Sequence, residues 1–224
     1  MKVTFLGQAG LLFDFDGLRV MVDPYFSNSV GKLRPEKNRR QKAEMSFLEK
    51  KPDVLILTHD HLDHADPETL EILLKKHSGI CVLAGRNAWE TALQFGGDHN
   101  YVCFTPGCRW TEGSVSFEAV FASHSDPDAI GVLIRYSGKV YYITGDTLRS
   151  RRVTESLGCQ PDVVFLPING VGNNMNMADA AAFAKEISAR KAVPLHFGMF
   201  DDLDPEGFIF ENRVIPEIWK EISL

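Results

Sequence analysis

Cysteine is scarce. Four occur in 224 residues, at Cys81, Cys103, Cys108 and Cys159, with no Cys-x-x-Cys pair and no zinc-ribbon spacing. This excludes a disulfide-stapled scaffold and a thiolate zinc finger, and the four are expected to be small buried thiols in a reducing compartment. Long apolar runs are missing too: none approaches the length of about eighteen residues that a membrane-spanning helix needs. Met1-Lys2-Val3-Thr4-Phe5 reads as the start of a strand, not as a signal peptide, so the expected location is the cytoplasm, with no membrane partner. Nor is there an excess of positive charge. Lys plus Arg number 24 against 30 Asp plus Glu, a net charge of −6, which speaks against binding long nucleic acid. What is plentiful is apolar surface, 44% of residues, enough for one sizeable core and a single domain over 1–224.

The chain is organised around Thr58-His59-Asp60-His61-Leu62-Asp63-His64. These residues directly follow the apolar run Asp53-Val54-Leu55-Ile56-Leu57, which reads as a buried strand. If that strand stays extended, His59 and His61 point the same way, toward one cation. Asp63 and His64 lie beyond the turn and can face a second. Imidazole suits zinc, iron, nickel and copper, and added carboxylates bring in manganese.

Ahead of this stretch, Val3–Leu6, Leu11–Phe15 and Leu18–Val22 read as strands, with Asp16-Gly17 as a hairpin turn. Gly7 and Gly10 mark a tight backbone turn around Gln8, and Asp23-Pro24 ends the third strand. Residues 27–42 hold Lys32, Arg34, Lys37, Arg39, Arg40 and Lys42 against Glu36 alone. The bland reading is a solvated loop. The sharper one is a cover that draws an anionic substrate through Arg34, Arg39 or Arg40. Asp66 caps a helix with Pro67 at its first position. His77 is read as a helix-end residue facing the dipole, and His99 as a surface histidine. In the second half, strands are expected over 101–104, 115–121, 129–136, 139–144 and 162–168, and a helix over 177–190. His124, Asp146 and His196 each stand just after an apolar run, repeating the placement of His59. Asn169-Gly170-Val171-Gly172-Asn173-Asn174 either presents amides to an anion, through Asn169, Asn173 and Asn174, or is only a tight loop before a capped helix.

His59-Asp60-His61-Leu62-Asp63-His64, followed by His124, by Asp146 in Thr144-Gly145-Asp146-Thr147 and by His196, resembles the motif set of the metallo-β-lactamase superfamily over nearly the whole chain. Phe5–Gly10, Asp23–Val30, Ser125–Gly131, Asn169–Asn176 and Pro194–Phe200 resemble its ascorbate-6-phosphate lactonase-like branch and short metal-dependent hydrolases related to it. The resemblance implies an α+β fold, a four-layer αββα sandwich. It implies two divalent metal ions, zinc or manganese with iron admissible: one on His59, His61 and His124, one on Asp63, His64 and His196, with Asp146 bridging. Asp63 would also be the catalytic proton carrier, and Asp60 would orient a ligand from behind.

The reading that follows is a dinuclear hydrolase that opens a lactone or cyclic ester of a small anionic, phosphorylated sugar acid. Two alternatives stand beside it: a phosphodiesterase for a small cyclic nucleotide, and a metal-dependent binding module without turnover. Assembly into a homo-oligomer is left open.

Overall fold

Apolar residues at alternate positions build two sheets that face each other. The computed structural model describes all residues from 1 to 224. The first sheet holds β1 (Lys2–Gly7), β2 (Gly10–Phe15), β3 (Leu18–Val22), β4 (Val54–Leu57), β5 (Cys81–Ala84) and β6 (Asn100–Cys103), in sequence order. The second holds β7 (Arg109–Glu112), β8 (Val115–Phe121), β9 (Ile130–Tyr136), β10 (Lys139–Ile143), β11 (Val163–Pro167) and β12 (Lys191–Leu195), also in sequence order. Each sheet is antiparallel where hairpins connect its strands and parallel where helices do, as between β3, β4 and β5 and between β10, β11 and β12.

The period-two arithmetic can be followed residue by residue. In β4, Val54 and Ile56 enter the central layer between the sheets, with Phe13 and Phe165 among its members, while Leu55 and Leu57 face the other way. There they meet Leu70, Leu73 and Leu74 of α2 (Pro67–Lys76) and Ala88 and Ala92 of α3 (Arg86–Leu93). On the second sheet, Leu133, Tyr142 and Val164 pack under Val153 and Leu157 of α4 (Arg151–Leu157) and Phe183 of α5 (Met177–Glu186). Helices, sheet, sheet and helices are thus the four layers expected of the αββα sandwich.

Several local readings differ. The helix expected over 177–190 ends at Glu186, and residues 188–190 are not helical. Within 27–42 the chain forms a short helix, α1 (Ser29–Leu33). The edge strand β7 and helix α4 had no periodic signal of useful length: α4 has only Val153 and Leu157 on its buried side and begins where Ser150 accepts the Val153 amide at 3.3 Å. His99 is a brace, not a surface group: it accepts the Ile80 amide at 3.2 Å and reaches the Leu74 carbonyl at 2.8 Å. His77 lies 2.9 Å from the Leu48 carbonyl. Of the cysteines, Cys81 alone is buried; all four are free.

Candidate metal centre

Strand ends from both sheets converge at one edge of the sandwich, as parallel strands commonly arrange at a ligand site. The seven-residue stretch follows β4, His124 follows β8, Asp146 follows β10 and His196 follows β12. Two backbone bonds tie the sheets together here, Ile130 N–H to Thr58 O at 2.9 Å and His196 N–H to Gln8 O at 2.8 Å. β4 stops at Leu57, so His59 and His61 converge through a turn and not by strand alternation; their rings still lie 4.6 Å apart, centre to centre. Gly145, with φ +60°, lets the backbone before Asp146 pass close to Thr58 and Ile130: a Cβ there would stand 2.8 Å from Ile130 O.

The donors fall into two groups, each within 4.8 Å: His59, His61, His124 and Asp146, and Asp63, His64 and His196. In the second, His196 Nε2 lies 3.1 Å from His64 Nε2, 3.2 Å from Asp146 Oδ1 and 3.4 Å from Asp63 Oδ2, and His64 Nε2 lies 3.3 Å from Asp146 Oδ1. A tetrahedral shell at usual metal–nitrogen and metal–oxygen lengths has edges of about 3.3–3.6 Å, so these separations fit a cation. Asp146 faces both groups. Its Oδ1 turns to His64 and His196, and its Oδ2 stands 4.0 Å from His59 Nε2, fixed by Asn174 Nδ2 at 2.9 Å.

A buried acid behind the site sets the tautomers. Asp23 Oδ2 accepts from His64 Nδ1 at 2.8 Å and from the Thr58 hydroxyl at 2.6 Å, and that hydroxyl sits 3.0 Å from His59 Nδ1. The chain of bonds places protons on both Nδ1 atoms and frees both Nε2 atoms to ligate. His59 Nε2 is buried with no hydrogen-bond partner, an orphan that a cation would satisfy. His124 differs. Its Nδ1 accepts the Asp126 amide at 3.1 Å, which keeps the neutral ring's proton on Nε2, so the ring must shed that proton or turn before that atom can ligate.

Charge is arranged unequally. Burial, then the neighbouring His64, hold His59 well below the usual imidazole range, and burial pushes His124 down to about 4. Burial opposes charge on His64 as well, but Asp146, Asp23 and Asp63 outweigh it and lift His64 well above that range; Asp146 likewise lifts His196 against its burial. Against its own burial, Asp146 is held well below the carboxylate range by His196 and His64. The metal-free second group therefore carries extra protons at neutral pH, and a cation must displace them; in the first group His59 and His124 are neutral rings, and only the His124 Nε2 proton stands where a cation would bind. Loading is expected to release at least one proton at pH 7.5, with affinity at the second group falling as pH drops below the raised His64 value. Calorimetry in buffers of different ionisation heat measures this, and equal apparent heats in all buffers would contradict it.

The remaining sequence-selected residues divide. Asp60 does not orient a ligand: it is exposed, and its amide donates to Asp126 Oδ2 at 3.3 Å. Asp23, Thr58 and Gln8 do the orienting. Gln8 Nε2 lies 2.8 Å from Asp63 Oδ2 and 3.0 Å from His196 Nδ1. Asp23 stands, like His124 and Asp146, directly after an apolar run, and its place before Pro24 at the end of β3 disguises it as a strand terminator. Gln8, Asp23 and His196 all have positive φ, at 53°, 42° and 65°, the strained backbone common at functional sites.

Over the donors lies a cleft of about 190 Å³, with Arg34, Lys37, Asn173 and Phe200 in its walls. Arg39 and Arg40 do not line it. Arg39 Nη1 donates to Tyr25 O at 2.6 Å, and its guanidinium sits over the Tyr25 and Trp219 rings; Arg40 pairs with Asp202. Sequence counting could not separate these cations, because their direction depends on α1. Asn169 and Asn174 line the cleft but also hold His196 and Asp146, Asn169 Nδ2 lying 2.9 Å from His196 Nδ1. A larger hollow of about 790 Å³ beside α5 contains none of the seven donors.

A family model described as "Beta-lactamase superfamily domain" matches residues 18–197. A UPF0173 metal-dependent hydrolase of Thermoplasma acidophilum is 28% identical over 243 residues, covering 100% of this chain and 99% of the relative. Its counterpart in Geobacillus thermodenitrificans is 28% identical over 223 residues, 93% and 92% of the two chains. Among solved structures, a metallo hydrolase from Ignicoccus hospitalis superposes with TM-score 0.74 at 23% identity, covering 92% of this chain and 88% of that one. An isothiocyanate hydrolase from Delia radicum gut bacteria superposes with TM-score 0.77 at 19% identity, covering 100% and 99%. At these identities the structural likenesses speak for the fold.

Proposed function

The chain belongs to the beta-lactamase superfamily, and on that premise we propose that it is a metal-dependent hydrolase with two divalent cations that opens a lactone or cyclic ester of a small anionic substrate. His59, His61 and His124 would hold one cation and Asp63, His64 and His196 the other, with Asp146 between them. The observation that carries this is the convergence of seven donors around the partnerless His59 Nε2. Bound there, the cations would acidify a water and polarise the ester carbonyl. Imidazoles with shared carboxylates suit zinc, manganese or iron.

The chain's own groups do the rest. Asp63, its carboxylate held by Gln8, is placed to accept the proton of the attacking water at one oxygen and return it to the leaving oxygen. Arg34 and Lys37 supply positive charge in the cleft wall for the substrate's anionic group, and Asn173 adds an amide.

Base consumption at constant pH tests the reading, with L-ascorbate 6-phosphate as a lactone carrying a phosphate and manganese- or zinc-loaded protein as catalyst. Uptake that a chelator abolishes supports it, and Arg34→Ala combined with Lys37→Ala should then raise KM about tenfold or more with kcat little changed. No uptake together with cleavage of a cyclic phosphodiester would replace the lactone by a phosphate ester.

A further inference from the structure

A second recess shares its walls with the metal centre, and the chemistry above leaves it unused. Its volume is about 320 Å³, and Val30, Arg34, His61 and Asp63 line both it and the cleft, so the two adjoin. Its own character comes from three aliphatic side chains: Val30 and Leu33 on α1, and Leu62, which sits between two of the metal-site donors. Leu33 is 74% exposed, an apolar side chain left in water at the edge of the site. Burying it against a ligand would be favourable.

Charge divides the two lobes. Arg34 stands at the seam, and Lys37 lines the cleft alone. The recess lacks Lys37 and has Asp60 in its wall, whereas the acid that belongs to the cleft alone, Asp146, is turned to the metal-site histidines. An anionic group is drawn to the cleft side and repelled from the recess side, where aliphatic surface is on offer.

We propose that the recess is the subsite for an aliphatic substituent of the substrate, so that the ester cleaved at the cations carries its anionic group toward Arg34 and Lys37 and a short alkyl chain toward Leu33 and Leu62. This rests on the hydrolase reading for the place of the scissile bond, but the subsite itself is read by binding and not by turnover.

The test is calorimetric titration of the zinc-loaded full chain with methyl-, butyl- and hexylphosphonate, an anionic head with an increasing tail. Affinity is expected to climb along the series, by up to about fourfold for each methylene that enters the recess. Leu33→Ser, at an exposed position that folding does not need, should remove part of that climb, and Leu33→Ser with Leu62→Ser should flatten it. Affinity that ignores chain length, a climb the double variant retains, or no binding of any member would each overturn the proposal. A chain-length dependence that survives alongside absent lactone turnover would leave the subsite standing and move only the identity of the scissile bond.

Discussion

Asp146→Ala is expected to empty both cation positions and reduce hydrolysis to background, while circular dichroism keeps the native signature. The carboxylate is the one group shared by the two donor sets: one oxygen faces His64 and His196, the other faces His59. Its removal also takes from His64 and His196 the negative charge that most strongly lifts their pKa values. Loss of an outer partner of a ligand costs about 10–100-fold in metal affinity, and loss of a shared ligand should exceed that at both positions. The fold should survive, because Asp146 follows β10 and belongs to none of the three apolar clusters. Metal content by atomic emission, read beside the turnover rate, decides the matter; a variant that keeps two equivalents of metal and full activity would refute the bridging assignment. His61→Ala should behave alike at the first position only.

The second large effect belongs to Asp23, a residue that need not touch metal or substrate. Its side chain is fully buried and accepts three bonds, from the Thr58 amide at 2.8 Å, the Thr58 hydroxyl and His64 Nδ1. Asp23→Ala leaves those donors without an acceptor in the interior, a change that destabilises by about 3–5 kcal/mol, or a fall in Tm of very roughly 6–20 °C for a chain this long. Asp23→Asn separates stability from function. It fills the space and keeps an acceptor oxygen, but no longer offers a charge to hold His64 in its Nδ1–H form, so metal affinity should drop about 10–100-fold even where the melting temperature recovers. Differential scanning calorimetry and a competitive chelator titration measure the two quantities. Equal metal affinity in the wild-type protein and Asp23→Asn would show that Asp23 is only packing.

The layered fold was legible because β4, β9 and β11 are near-continuous apolar runs and because two of the hairpins, β2–β3 and β9–β10, carry turn signals at Asp16-Gly17 and Ser137-Gly138. The donor groups were legible for a related reason. A histidine or aspartate just after an apolar strand has few structural uses, and four of the donors, His59, His124, Asp146 and His196, have that placement. What escaped were the residues whose meaning depends on a partner far away in sequence. Asp23 and His64 are 41 positions apart and Gln8 and His196 are 188 apart, and neither pair leaves a periodic trace. Asp60 misled for the opposite reason: its neighbours His59 and His61 suggested a supporting role, and the turn after β4 sends it outward to Asp126. The basic segment shows the same limit, since six cations in sixteen residues give charge but not direction.

The first sheet is made wholly from residues 2–103 and the second wholly from 109–195. His59, His61, Asp63 and His64 come from the first half and His124, Asp146 and His196 from the second, so each donor group draws on both. Bound cations would therefore act as rivets between two half-molecules as well as reagents. Each half by itself would present an incomplete, weakly binding set, and a newly made first half would gain its ions only after the second had docked. Chelation, conversely, would loosen the seam, so that the Ile130 and His196 amides, bonded across it to Thr58 and Gln8, exchange faster than in the loaded protein.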